Sequence, residues 1–261
     1  ALFLAQSPMV GTFHAAGGSL AYDLLNRPVR WLSRRMDRVF AVSDDAAAMA
    51  HASLGGDYEV LFNGVEVQRS QQVDPWPTDG PTVFFIGRHE PRKGLAVLLA
   101  AMAGLDSNVR LWVAGDGPET DELRARVVGD SRIQWLGRIS DAERTARIRG
   151  ADVFCAPSLR GESFGVVLLE GMACGTPVVA SDIPGYEKVA RGGDDALLVP
   201  SGDAAALSSA IAKVLADPVL AARLVASGRQ RAEEFSMRRL ADRYLEAYRS
   251  VMGTSVGGTR A

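Results

Sequence analysis

The chain has 261 residues, of which 47% are apolar and 23% charged, and its formal charge is −2. That length and apolar content suffice for two modest domains with cores of their own, whereas the near-neutral charge excludes the broad basic surface that nucleic-acid backbones require. No apolar run is long enough to span a bilayer and no signal-peptide pattern is present, so a soluble cytosolic protein is expected. Cys155 and Cys174 fall in apolar segments without metal-ligand or redox spacing and read as small buried hydrophobes.

In chain order, strands are expected at residues 9–13, 39–43 and 58–62. Thr12-Phe13-His14 ends the first of these and runs into the flexible turn Ala15-Ala16-Gly17-Gly18-Ser19. On the residues alone His14 reads as a satisfied loop histidine. Residues 27–39 are expected to form an amphipathic helix, with Arg27, Arg30, Arg34 and Arg38 on one face and Val29, Leu32, Met36 and Val39 on the other. Asn26 can cap it, and Pro28 is tolerated in its first turn. A solvated arginine face is the plainer reading, although an anionic lipid surface would attract it. Asp44, Asp45 and His51 read as surface charge. The stiff, polar, proline-rich stretch from Asp74 to Pro81 is taken as the domain boundary, giving domains 1–79 and 80–235.

The second domain repeats strand and helix, with strands at 83–86, 109–114, 133–136, 153–156, 178–181 and 196–199. That alternation demands a parallel, doubly wound sheet. Its first strand delivers Gly87-Arg88, and Lys93 opens the next helix. Lys93 is one of only three lysines, with Lys188 and Lys213. Two cations beside backbone amides suit a diphosphate, although Arg88 alone could be a strand-end residue that snorkels. Arg92 is expected to face solvent. Gly115-Asp-Gly-Pro118 lacks the third glycine of a dinucleotide fingerprint, which leaves a nicotinamide cofactor as a weak reading.

Residues 160–177 then join a buried strand to a buried helix and carry two carboxylates. Ser163 is expected to cap the helix, whose Val166, Val167, Leu168, Leu169, Met172 and Ala173 point in most directions around its axis. A carboxylate in such a helix needs a partner, so Glu170 by itself reads as a structural residue paired with an arginine. Glu162 changes that, because it overhangs a helix N-terminus able to hold a phosphate. A diol at Glu170, phosphates at the helix start and a sugar at Glu162 together describe a sugar nucleotide.

Glu162 and Glu170, separated by seven residues, resemble the mark of the retaining GT-B glycosyltransferases of family four. Gly161-Glu-Ser-Phe-Gly165, Met172-Ala-Cys-Gly-Thr-Pro-Val-Val-Ala-Ser-Asp182 and Gly87-Arg-His-Glu-Pro-Arg-Lys-Gly94 are similar to the actinobacterial phosphatidylinositol mannosyltransferases within it. The resemblance runs through nearly the whole chain. It implies an α/β fold of GT-B type, two Rossmann-like doubly wound parallel-sheet domains facing a cleft. The first domain would be incomplete, short of roughly a hundred N-terminal residues by the usual strand-and-helix unit. A helix over 236–252 would pack back on the first domain, and 253–261 would be a disordered tail.

The same resemblance implies that Arg88 and Lys93, with Gly87 and the helix start at Ser163, Phe164, Gly165 and Val166, stabilise the leaving diphosphate in place of a metal. It further implies that Glu162 holds sugar hydroxyls, Glu170 the ribose, Ile139 the flank of the nucleobase, and His14 the transferred sugar from the opposite wall. The loop after His14 departs from the family's polar, lysine-containing one, which bears on the acceptor. The implied reaction moves a hexose, with mannose from GDP-mannose favoured, to a lipid such as phosphatidylinositol. No cofactor is tightly bound, with room kept for a Mg2+ ion travelling with the diphosphate. The implied place is the cytoplasm, at the inner face of the plasma membrane. A GT-B-like sugar-nucleotide epimerase and a donor-binding module without turnover stand as alternatives.

Overall fold

In the computed structural model the described residues are 8–14, 30–31 and 33–254. They fall in two compact units, residues 1–64 with 237–261, and residues 65–236. The division therefore lies at Gly64, ahead of the proline-rich stretch. That stretch is held to the second unit, where the Trp76 amide donates to the Ala146 carbonyl at 2.8 Å and the Arg147 guanidinium sits between the Trp76 and Trp112 rings, 4.1 and 4.6 Å from their centroids. A planar cation between two aromatic faces, itself paired with Glu143 at 3.1 Å, is a strong local tie.

The first unit carries a parallel sheet of β1 (Val10–Phe13), β2 (Arg38–Ala41) and β3 (Glu59–Val60), in that order. Between β2 and β3 runs α1 (Asp44–Leu54), capped by the Ser43 hydroxyl accepting from the Ala46 amide and started by the acidic pair Asp44 and Asp45, as suits the positive end of a helix dipole. Phe40 of β2 and Leu61, just after β3, pack with Ala247 of α10 (Met237–Thr254).

Among the described residues the arginine face expected over 27–39 does not extend to Arg38. Arg38 and Val39 belong to β2, because Asp37 fastens this segment to the start of β1 through its carboxylate and its amide, each 2.8 Å from Met9. A β-branched and an aromatic side chain follow and favour the strand. Arg38 is then engaged with Glu59 at 2.5 Å, Arg30 lies among helical residues, and Arg34 is exposed in the turn. Arg27, Asn26, Pro28 and the loop 15–19 lie outside the described residues.

The second unit is a six-stranded, wholly parallel sheet: β4 (Thr82–Ile86), β5 (Arg110–Ala114), β6 (Ile133–Gly137), β7 (Val153–Ala156), β8 (Val178–Asp182) and β9 (Leu197–Pro200). Their spatial order is β6-β5-β4-β7-β8-β9, so the chain winds outward one way from β4 and then returns to its other side at β7. That is the doubly wound arrangement, and each strand falls where the apolar runs place it. The core on one face joins Val83, Phe85, Leu111, Val113, Val153 and Val179 to Leu98 of α3 (Leu95–Ala101) and Ile211 of α8 (Ala204–Ala216). Among the described residues no single helix is long and apolar enough to cross a membrane.

One glycine fixes the geometry that matters below. Gly94, at φ 70°, closes the 3-10 turn Pro91–Lys93 and starts α3, and a Cβ there would sit 1.8 Å from the Pro157 carbonyl oxygen. Gly94→Ala is expected to destabilise the second unit by more than the roughly 1–2 kcal/mol that a left-handed backbone costs a side chain. Urea unfolding of the variant beside wild type measures it, and an unchanged midpoint would contradict the close approach.

Candidate active site

Reversal of strand order between β4 and β7 opens a crevice beyond their carboxyl ends, the place where doubly wound sheets take ligands. The turn Pro91–Lys93 comes from β4, and the loop 157–165 comes from β7. The two are sutured by the Leu159 amide donating to the Arg92 carbonyl at 2.7 Å and by the Gly94 contact with Pro157. Lys93 and Glu162, far apart in sequence, are thereby brought together, with Lys93 Nζ 2.6 Å from Glu162 Oε1. Both side chains are mostly buried, 21% and 14% exposed, so the pair is shielded from the solvent that weakens surface ion pairs.

Two residues beyond those expected complete this cluster. The Ser158 hydroxyl donates to Glu162 Oε1 at 3.1 Å and itself accepts from the buried Tyr186 hydroxyl at 2.9 Å. Burial, and then the neighbouring Glu162 charge, hold the Tyr186 phenol well above its ordinary value, so it stays a donor. Arg92, expected to face solvent, is 40% exposed and at the same time lies 2.6 Å from Glu90 and 3.4 Å from Glu162. Arg88 is the more exposed cation, at 69%, and stands 3.5 Å from Glu90 rather than beside Lys93.

The helix after this loop is α6 (Val166–Cys174). Its cap is Gly165, at φ 84°, with no side chain capping it, so the role expected of Ser163 is not filled. Ser163 is exposed, Phe164 is buried edge-on against Phe235 at 5.4 Å, and Val166 is half-buried. The later start puts Glu170 one turn into α6. There it meets Arg144 of α5 (Asp141–Gly150) at 3.3 Å, the arginine partner that a carboxylate in an enclosed helix calls for. Burial raises the Glu170 pKa, Arg144 opposes the shift, and Asp141 adds to it.

A raised carboxylate pKa means that the native state binds this proton more tightly than the unfolded chain. Its contribution to stability is full below the ordinary value of 4.5 and is lost as pH climbs through the native value. The stability difference between wild type and Glu170→Gln is accordingly expected to turn against wild type across that window. Thermal unfolding at a series of pH values measures it, and a difference that does not move with pH would contradict the burial assignment.

Beside the crevice lies an open groove of about 730 Å3, lined by Ile86, Gly87, Arg88, Gly115, Asp116, Gly117, Pro118, Thr120 and Arg138. Of the expected site residues only Gly87 and Arg88 line it. Gly115, at φ 106°, lets the ends of β4 and β5 touch, since a Cβ there would fall 2.0 Å from the Gly87 carbonyl oxygen. Asp116 and Arg138 pair across the groove at 2.9 Å. His89 is buried behind it, with Nδ1 2.8 Å from Thr120 Oγ1, and burial lowers its pKa. Ile139 follows Arg138 and is half-buried. His14 is exposed after β1 in the other unit. The two cysteines are free and buried, with the Cys174 thiol pushed up to about 11.

Residues 66–231 match the model of the glycosyl transferases group 1, well over half of the chain. The chain belongs to the group 1 glycosyl transferases. Among curated relatives of this glycosyl transferase is the phosphatidyl-myo-inositol mannosyltransferase of Mycobacterium leprae, 40% identical over 96% of this chain and 69% of the relative. The protein of the same name in Mycolicibacterium smegmatis is 38% identical over 98% and 68%. Among solved structures, HepE of Anabaena with UDP and glucose is similar with a TM-score of 0.76 at 22% identity, over 95% of this chain and 73% of that one. The sucrose-phosphate synthase of Thermosynechococcus elongatus has a TM-score of 0.75 at 27% identity, over 94% and 68%. This glycosyl transferase is thus of the GT-B class.

Proposed function

We propose that this glycosyl transferase moves mannose from GDP-mannose to a phosphatidylinositol acceptor, with retention of configuration, working from the cytoplasmic side at a membrane surface. The observation that carries the site assignment is the meeting of Lys93 and Glu162 at the point where strand order reverses. The likeness to mannosyltransferases named for phosphatidyl-myo-inositol supports the substrates.

In this reading the diphosphate lies beyond β4, where Lys93 neutralises the charge that grows on it as the glycosidic bond breaks. The amides at the start of α6 assist. Arg88, exposed and able to swing, joins from the groove edge. Glu162 accepts from hydroxyls of the sugar, Glu170 from the ribose diol, and Ile139 flanks the base. His14 is assigned to the transferred sugar. Side-chain cations offset the negative charge of the diphosphate in this arrangement, with room for a Mg2+ ion travelling with it.

The test is an initial-rate assay with labelled GDP-mannose and, in parallel, UDP-glucose, with and without phosphatidylinositol vesicles. Label is expected in extracted lipid with GDP-mannose alone. Conversion of the donor without acceptor would favour an epimerase, and donor binding with no product in any arm would favour a binding module.

A further inference from the structure

Glu162 Oε1 is the convergence point of Lys93 at 2.6 Å, Ser158 at 3.1 Å and Arg92 at 3.4 Å. In the reading above, Lys93 belongs to the diphosphate and Glu162 to the sugar, yet in this structure each holds the other. The contact is imposed by backbone, since the Lys93 turn and the Glu162 loop are joined at Leu159 and at Gly94. The Tyr186–Ser158 pair holds the same carboxylate oxygen. A charge so placed can leave Lys93 only if something else engages it.

We propose that Glu162 is an internal counter-ion that competes with the β-phosphate for Lys93 and so drives out the nucleoside diphosphate after transfer, with Ser158 and Tyr186 as positioning residues that hold it poised. The proposal rests on the site reading given above. While the donor is intact, sugar hydroxyls engage Glu162 and leave Lys93 to the phosphate. Once the sugar has gone, the carboxylate has lost those donors and returns to Lys93, where its negative charge also repels the β-phosphate. The product diphosphate is therefore bound less tightly than its charge alone would dictate, and a nucleoside monophosphate, which does not reach Lys93, is bound without this competition.

Calorimetry of the whole protein with GDP, GMP, UDP and UMP tests this. Glu162→Gln removes the charge at nearly constant shape and is expected to tighten the diphosphate on the order of five- to tenfold, the scale of one shielded charge pair, and to leave the monophosphate unchanged. Glu162→Asp keeps the charge but withdraws it by a methylene, and the same direction is expected. In a Lys93→Met background the Glu162→Gln effect should shrink to the direct repulsion of the β-phosphate, because the cycle isolates the part that passes through Lys93. Equal or weaker diphosphate binding by both Glu162 variants, with wild type binding normally, would overturn the counter-ion. Equal tightening of the monophosphate would also overturn it, since the effect would then not pass through the β-phosphate. Absence of any nucleotide binding by wild type would instead overturn the site reading beneath it.

Discussion

Lys93→Ala is expected to lower turnover on the order of 10²–10³-fold, the usual loss when one preorganised group that stabilises developing charge is removed, and to change donor affinity far less. The reason lies in where and when Lys93 acts. Engaging the donor requires opening the contact with Glu162 at 2.6 Å, which offsets part of what the lysine gains from a diphosphate that still carries only its ground-state charge. As the bond to the sugar breaks, the diphosphate takes on additional charge and the lysine is drawn fully to it. An interaction that strengthens only along that path appears in the rate constant and not in the binding constant. Arg88→Ala is expected to act the same way with a smaller effect, because its side chain is 69% exposed and begins beside Glu90. Initial rates at saturating donor, beside calorimetry, separate the two quantities. Unchanged turnover in Lys93→Ala would remove it from the leaving-group role.

Glu170→Ala is expected to do the reverse, weakening donor binding by on the order of 1.5–3 kcal/mol, roughly 10- to 150-fold, while turnover at saturation changes less. Glu170 lies in a helix packed on most sides, with Arg144 as its cationic neighbour. Ribose hydroxyls donating to it replace little water, because the carboxylate is only 23% exposed beforehand. A ribose sits far from the bond that breaks, so its contact is much the same before and during reaction, which is the condition for an effect on affinity alone. Calorimetry with GDP-mannose measures the loss. Wild-type affinity in the variant would reassign Glu170 to a purely structural pairing with Arg144.

Much of this architecture was legible in the sequence for an identifiable reason. Parallel strands buried on both faces are written as short apolar runs, such as Val153-Phe-Cys-Ala156, at regular spacing between helical segments. The spacing of Glu162 and Glu170 and the Arg88–Lys93 motif were legible because each spans a strand-to-helix connection or the first turn of the helix that follows it.

What escaped the sequence was long-range pairing. Nothing near Glu162 in the chain announces Tyr186, which reaches it only through Ser158 and only because the sheet sets β7 beside β8. Arg144 and Arg92 were hidden for a related reason: the chain holds many arginines, and sequence alone does not tell which of them meets a carboxylate. The misplaced end of the arginine helix came from periodicity that continued two residues into a strand, where Asp37 hydrogen-bonds Met9 and settles the matter. The Ser163 cap failed because Gly165, free to adopt φ 84°, turns the chain later than a serine cap would.

The most direct measurement is a crystal structure of the protein with GDP-mannose bound. The expected result is a diphosphate at the carboxyl ends of β4 and β7 with an oxygen within hydrogen-bond distance of Lys93 Nζ, the ribose diol on Glu170, sugar hydroxyls on Glu162, and the Lys93–Glu162 contact opened. A diphosphate bound elsewhere, with Lys93 and Glu162 still paired as they are here at 2.6 Å, would contradict the assignment of this crevice as the donor site.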